Sequence, residues 1–533
     1  MRIIASLFAA FAVLFSAPAM AAEWYVVDTK HFTVYTKDTK KNAEEYGKEL
    51  ERLDEALRII SGVGPSDDDF PASSKVTVFR FGETSDMGKL LGRRGVGGFF
   101  RGDAVGSVAF APRRDDVRRE RGFERTAGDI PINPKYIVFH EYTHYFMFHH
   151  RDAPYPLWYS EGFAELFGTM TFEKDRFVIG DVPPERSIAL KVVDLDLEEM
   201  FAPGEEPSRE YTSRVYAHGW LLASLLNLTP ERRSQIGPYL MAINEGVDPL
   251  EAAKNAFGDL DVLEKELDDY RGGAAKVLKV PFLTKQDPEV SVRRMTEAEE
   301  ARMDVLIRAK AGVDEDQAKK QVDPARDLVS RYPESVPVLL TAVEAEFDAK
   351  NWNEAESLAE RILAIDPDNV DAAIYYARVA LMRGYEDKSQ IAVARERFAK
   401  ANNLQPDHAY PLYGYYLSFL YSDETPPDDA IASLERAFVL ARYDNSIRNT
   451  LAYRLAKEER YSVSQGLLRR TLIGAGKYPR ELSACYTLAE AGDNELLLDM
   501  LRPDHPMDES EKEWDDKSDE EKWPCLTKVE ATA

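Results

Sequence analysis

From about residue 296 onward one spacing keeps returning. Small or apolar residues lie seven apart at Ala355 and Ile362, Ala394 and Ala401, and Ala430 and Ala437, with a proline five residues after the first two pairs, at Pro367 and Pro406. A helix advances about 100° per residue, so positions seven apart share one side, and small side chains there let a second helix approach closely. Proline then ends the helix, because it lacks the N–H the next turn needs. The intervals are 34 residues from Pro333 to Pro367, 39 from Pro367 to Pro406 and 36 from Ala394 to Ala430. The reading is a stack of helix pairs with short insertions, each pair burying its apolar face only against its neighbours.

This pattern resembles tetratricopeptide repeats. The resemblance implies an all-α repeat region over residues 296–500 with a groove for a protein partner or a peptide, preceded by a linker at 273–295 and followed by a tail at 501–533. With 533 residues, 44% hydrophobic and 30% charged, the chain is long enough for several domains.

At the other end Arg2, the apolar run Ile3 to Phe15, and Ala19-Met20-Ala21 read as a cleaved signal peptide over residues 1–21. The run is shorter than the roughly 20 residues that span a bilayer, no Cys follows it for acylation, and no later stretch is apolar enough to span. The expected location is periplasmic or secreted. A net charge of −26 excludes nucleic acid and anionic lipid as main partners, since both need a basic footprint. Ten carboxylates against three lysines between Asp504 and Lys522 read as a solvated tail. Cys485 and Cys525 flank it, and an oxidising compartment permits a disulfide between them as readily as two free thiols.

Between these regions, residues 22–272 read as an α+β domain. Strands are expected at Trp24 to Val27, His31 to Tyr35, Lys75 to Arg80 and Ser107 to Ala111, the last ended by Pro112. A helix is expected from Asn42 to Ile60, with Tyr46, Leu50, Leu53, Leu57 and Ile60 along one side. The glycines at 95, 97, 98 and 102 mark a hairpin or flap.

Asn133 as N-cap and Pro134 at the first helical position then open a helix that carries His140-Glu141-Tyr142-Thr143-His144. His140 and His144 lie one turn apart on one side, so both imidazoles can meet one ion, and Glu141 is placed beside that ion as a base. His149 and His150 read as structural or surface residues. An open zinc site needs a third ligand, and a carboxylate on the next helix, as Glu161 is expected to be, supplies it. Glu165, four residues on, shares that face and either orients a histidine or lies exposed on the helix.

These residues resemble a gluzincin metallopeptidase of the peptidase MA-like group, distantly similar to the aminopeptidase N family. There a Trp-x-x-Glu-Gly-x-Ala segment follows the zinc helix and its first Glu completes the metal site; Trp158 to Ala164 matches it position by position. The resemblance implies a zincin-like fold, Zn2+ held by His140, His144 and Glu161, and an oxyanion-binding Tyr216, in Tyr216-Ala217-His218-Gly219, 55 residues after Glu161. His218 is the weaker alternative. The family's Gly-x-Met-Glu-Asn segment, whose carboxylate binds a substrate amine, is replaced here by Gly106-Ser107-Val108-Ala109-Phe110. That departure favours an endopeptidase over an aminopeptidase, with the backbone of this segment available to an extended substrate as an edge strand.

The expected function is therefore exported zinc-dependent hydrolysis of peptide bonds, with Glu141 and Tyr216 catalytic and the repeats binding substrate or a protein partner. Two alternatives stand beside it: a noncatalytic periplasmic adaptor with a structural zinc site, and hydrolysis of a non-peptide bond such as an amide in a cell-wall fragment.

Overall fold

The structure, a computed structural model, describes residues 23–64, 71–93, 96–114, 133–203, 207–273 and 277–474, with Leu498 and Pro503. The expected signal peptide, Cys485, Cys525 and the acidic stretch from Asp504 to Lys522 lie outside the described residues. No described helix is long and apolar enough to cross a membrane.

The first region is built on a mixed six-stranded sheet. Its strands are β1 (Glu23–Asp28), β2 (Phe32–Asp38), β3 (Val76–Glu83), β4 (Phe99–Arg101), β5 (Val108–Arg114) and β9 (Ser291–Arg294), in the spatial order β4-β5-β3-β2-β1-β9. β2, β3 and β5 run parallel, while β1, β4 and β9 are antiparallel to their neighbours. Side chains alternate between faces as strand pleating requires. Val27, Val34, Val78 and Ala109 enter one core with α1 (Lys40–Ser61) and α3 (Pro134–His150). Val26, Phe79, Val108 and Phe110 enter a second core with Met87 of α2 (Thr84–Leu91) and Met303, Leu306 and Ile307 of α12 (Met303–Ala311).

β5 runs through Pro112 to Arg114. Proline is tolerated there because β4 ends at Phe99, opposite Phe110, so Pro112 has β3 on one side and no neighbour on the other. β5 is thus flanked over the segment expected to be an open edge: Val108, Ala109 and Phe110 pair with both β3 and β4, and among the described residues the free edge on this side of the sheet belongs to β4. The glycine-rich stretch forms the expected hairpin, β4 turning back into β5, although three residues are too few to show the alternation that would bound β4 in sequence.

The segment read as a linker is also partly structured. β8 (Leu278–Pro281) completes a small antiparallel sheet with β6 (Thr171–Phe172) and β7 (Arg176–Ile179), and β9 extends the main sheet past β1. Both strands are short and mostly exposed, so alternation is faint until a partner edge is known.

After α3 come α4 (Leu157–Gly168), the short α5 (Ala189–Val192) and α6 (Leu197–Phe201), then α7 (Tyr211–Leu228), α8 (Ile236–Asn244), α9 (Pro249–Phe257) and α10 (Leu260–Gly272). α3, α4 and α7 are apolar on nearly every side, the mark of helices enclosed by others.

From α11 (Glu297–Ala301) onward the described chain is helical. α12 pairs with α13 (Glu315–Arg331), α14 (Val336–Asp348) with α15 (Trp352–Ile365), α16 (Val370–Arg383) with α17 (Ser389–Leu404), α18 (Ala409–Leu420) with α19 (Asp428–Leu440), and α20 (Asn445–Lys457) with α21 (Tyr461–Gly474). Ala355, Ile362, Ala394, Ala401, Ala430 and Ala437 are all fully buried. Pro333, Pro367 and Pro406 each stand just past the end of α13, α15 and α17. These are the positions the spacing singled out.

Candidate metal centre

The metal helix starts as its sequence directs: Asn133 accepts a hydrogen bond from the Lys135 N–H at 3.1 Å, with Pro134 following. On its inner side His140 and His144 turn toward α4, which carries Glu161. His140 Nε2 lies 3.2 Å from His144 Nε2 and 3.2 Å from Glu161 Oε2, and His144 Nε2 lies 3.6 Å from the same oxygen. Among the described residues these three form the single group of histidine, cysteine or carboxylate side chains able to share a metal ion.

Whether they fit zinc is a matter of edge lengths. Ligand bonds of 2.0–2.2 Å in a tetrahedron place ligand atoms about 3.3–3.6 Å apart, and the triangle found here has nearly that size. Glu161 Oε2 is buried and faces both imidazole nitrogens, as an oxygen that shares a cation with them is expected to do. The residues fit the ion.

Without a metal the charges compensate one another. Burial opposes a charge on His140, but the hydrogen bond and charge of Glu161, with Glu165 and Glu141, outweigh it and hold its pKa up at about 9. Burial also works against ionised Glu161, and the two histidines reverse that and hold its carboxyl far below the usual range. Glu141 stands outside the ligand triangle, and burial pushes its carboxyl up despite the histidines beside it. A carboxylate raised in this way is a better proton acceptor than an ordinary one.

Glu165 is fully buried, which rules out the exposed-helix alternative. It accepts from the Tyr136 hydroxyl and from Arg186, at 3.0 Å from Nε and 2.7 Å from a terminal nitrogen, and its Oε1 lies 3.9 Å from His140 Nδ1. That last distance is too long for a hydrogen bond, so Glu165 acts on His140 through its field. Ser160, which the sequence reading passed over, holds His144: its Oγ is 3.1 Å from His144 Nδ1. It occupies a variable position of the Trp-x-x-Glu segment, and spacing alone does not distinguish it.

Tyr216 reaches the site from α7. Its ring lies nearly parallel to His140, centroids 6.4 Å apart, and the Arg186 guanidinium sits 4.5 Å above it. Burial, followed by the charge of Glu161, keeps the phenol firmly protonated. Arg186 ends a single 3-10 turn, Pro184–Arg186, too short to carry a periodicity that reveals it in sequence.

α4 and α7 meet backbone to backbone at two glycines. A Cβ on Gly162 would lie 2.2 Å from the carbonyl oxygen of Gly219, and one on Gly219 would lie 2.6 Å from that of Trp158. Gly162 follows Glu161, and Gly219 is three residues beyond Tyr216, so this contact brings ligand and phenol together. His218 points elsewhere: it is fully buried, and burial with Arg271 and Arg214 nearby lowers its pKa to about 4. His149 stacks between Tyr145 and Tyr443, and His150 faces Arg58, both away from the ligand triangle.

No family model matches the chain, and no curated protein matches it. Solved structures similar to part of it include the following two. A thermophilic TPR protein of Thermus thermophilus is 19% identical with a TM-score of 0.27, covering 37% of this chain and 94% of that one. Pseudomonas aeruginosa pilF is 18% identical with a TM-score of 0.29, covering 39% of this chain and 90% of that one. Residues 303–474 form a helical repeat array of stacked helix pairs, with buried small residues and prolines just past helix ends.

Proposed function

We propose that this chain is an exported zinc-dependent hydrolase of peptide bonds, with a zincin-like domain that carries the site and a repeat array fixed to it. The observation that carries the reading is the ligand triangle of His140, His144 and Glu161 with an uncoordinated, raised carboxylate, Glu141, next to it in sequence. A structural zinc site has no use for that base.

His140, His144 and Glu161 would hold zinc, which would supply a Lewis acid for water and for a carbonyl. Glu141 accepts the proton that water gives up as it attacks, and returns it to the leaving amine. The Tyr216 hydroxyl donates to the oxyanion, and its raised pKa keeps that proton in place at neutral pH. Ser160 fixes the orientation of His144, while Glu165 and Arg186 set the field around His140 and Tyr216. The free edge of β4 offers backbone groups to an extended chain, and with no carboxylate at the segment that binds an amine in aminopeptidases, internal cleavage is favoured.

The second reading is a noncatalytic adaptor whose working surface is the tetratricopeptide-like array, with its helix pairs packed through buried small residues. Metal content and turnover of a quenched peptide library, for wild type and Glu141→Gln, separate the two. Zinc retained with turnover lost in the variant supports hydrolysis, and equal turnover in both removes Glu141 as base. Zinc bound by a wild type that cleaves nothing supports the adaptor.

A further inference from the structure

The array does not hang from the metal-binding region by a tether. Its last pairs close on two points that flank the site. The first is the loop after β4, the strand with the free edge. Ala104 in that loop is buried in the apolar core of the array, not in that of the sheet, and its N–H donates to Asp444 Oδ2 at 2.8 Å. Asp444 divides its carboxylate between two tasks: Oδ1 caps α20 by accepting from the Ser446 and Ile447 N–H groups at 2.8 and 3.1 Å, and Oδ2 holds the loop. Beside it, Tyr443 fills the angle between loop and metal helix. Its ring lies 5.2 Å from that of Tyr145 and 5.9 Å from that of His149 on α3, and a Cβ on Gly102 would come within 3.1 Å of it.

The second point is the exit of α3. Asp152, two residues past the helix, accepts from Arg448 of α20 at 2.9 Å and from Arg470 of α21 at 2.6 Å, and Arg470 also donates to the Phe148 carbonyl at 3.2 Å. Both arginines are buried, at 1% and 7% exposure, and Asp152 is 34% exposed, so the pairs are partly shielded from screening salt.

Between these points β4 lies along α3. Gly97 and Gly98 pack on Ile137, where a Cβ would meet the isoleucine at 2.9 and 2.4 Å, and Phe100 contacts Tyr145 with ring centroids 5.5 Å apart. Ile137 is one turn before Glu141 on the same side of the helix. The gap between the free edge of β4 and Glu141 is therefore set by what presses β4 against α3, and part of what does so belongs to the array.

We propose that the end of the array formed by Tyr443, Asp444, Arg448 and Arg470 is a brace for the metal site, and that these are positioning residues that fix the distance between the β4 edge and α3. The claim about turnover rests on the hydrolase reading; the brace itself does not.

The test uses the full chain and Asp444→Asn. Asn keeps the cap on α20 through one oxygen but presents an amide N–H₂ to the Ala104 N–H, donor against donor. Asp444→Ser, which can cap but cannot reach the loop, is the second variant, so a folding defect peculiar to one does not decide the outcome. Hydrogen exchange is followed at residues 97–107 and at α20, with zinc content and KM and kcat on a peptide. The brace predicts exchange at 97–107 faster by tenfold or more with α20 unchanged, zinc content unchanged, and KM raised several-fold with a smaller change in kcat. Unchanged exchange at 97–107 in both variants overturns the brace. Faster exchange with KM and kcat both at wild-type values overturns the positioning role. If wild type cleaves no peptide the hydrolase reading fails, and the exchange result still decides the brace.

Discussion

Replacing Gly219 by alanine tests the contact on which the arrangement of Tyr216 depends. The added methyl carbon would sit 2.6 Å from the Trp158 carbonyl oxygen, and the reciprocal change at Gly162 would bring one 2.2 Å from the Gly219 oxygen. Ordinary carbon–oxygen contact is about 3.4 Å, and the obstacle in each case is helix backbone with no rotamer to change, so α4 and α7 must separate by about 1 Å. Overpacking of this kind costs about 1–3 kcal/mol, which lowers Tm by a few degrees in a chain of this size and leaves it folded. His140, His144 and Glu161 sit on α3 and α4, so retreat of α7 spares the ligand triangle and moves Tyr216. A displacement of about 1 Å at a positioned group costs on the order of 10²-fold in rate. Gly219→Ala is expected to bind zinc at wild-type stoichiometry, to lose roughly 10- to 100-fold in kcat, and to match Tyr216→Phe, with the double variant little worse than either single. Melting, metal content and kcat are measured on the same preparations. Wild-type Tm and kcat in Gly219→Ala would show that the helices do not touch there. Lost zinc would show that α4, not α7, gives way.

Two further outcomes follow from charges and hydrogen bonds near the site and in the core. Ser160→Ala removes the partner of His144 Nδ1 and is expected to weaken zinc affinity by about 10- to 100-fold with the apo fold intact; competition with a chelator measures it, and unchanged affinity refutes the assignment of Ser160. Stability is expected to fall as pH drops from about 6.5 to 5, because burial lowers His149, His218 and His408 to about 4 and His150 to about 3. In that window the unfolded chain takes up protons the folded one refuses, so each group contributes on the order of 1–2 kcal/mol of destabilisation. Asp348, Glu141, Glu185 and Asp444, all raised chiefly by burial, and His140, raised by its carboxylate neighbours, act in the opposite sense and offset part of that fall. Imidazole NMR signals of these four histidines that titrate between pH 7 and pH 5 in the folded protein would contradict their burial.

Periodicity alone located much of this molecule. Two histidines one turn apart, a capped helix start, and alanines seven apart ahead of prolines are local patterns, and local patterns survive in sequence because a helix repeats every 3.6 residues whatever surrounds it. The sequence therefore determined α3 with its two histidines, the helix of Glu161 and the positions at which the array packs. It also determined that Glu141 follows the first histidine.

Tertiary structure decided what depends on groups distant in the chain. The free edge passed from the 106–110 segment to β4, because pairing is a property of two strands and β5 found partners on both sides. Residues 278–281 and 291–294 became strands because partner edges were waiting for them. Arg186 reached Tyr216 and Glu165 from a single 3-10 turn, Gly162 met Gly219 across a helix crossing, and Asp444 found Ala104 across 340 residues. None of these has a period, since the spacing between such partners is set by the path of the intervening chain, and only the folded chain brings them within a few ångströms.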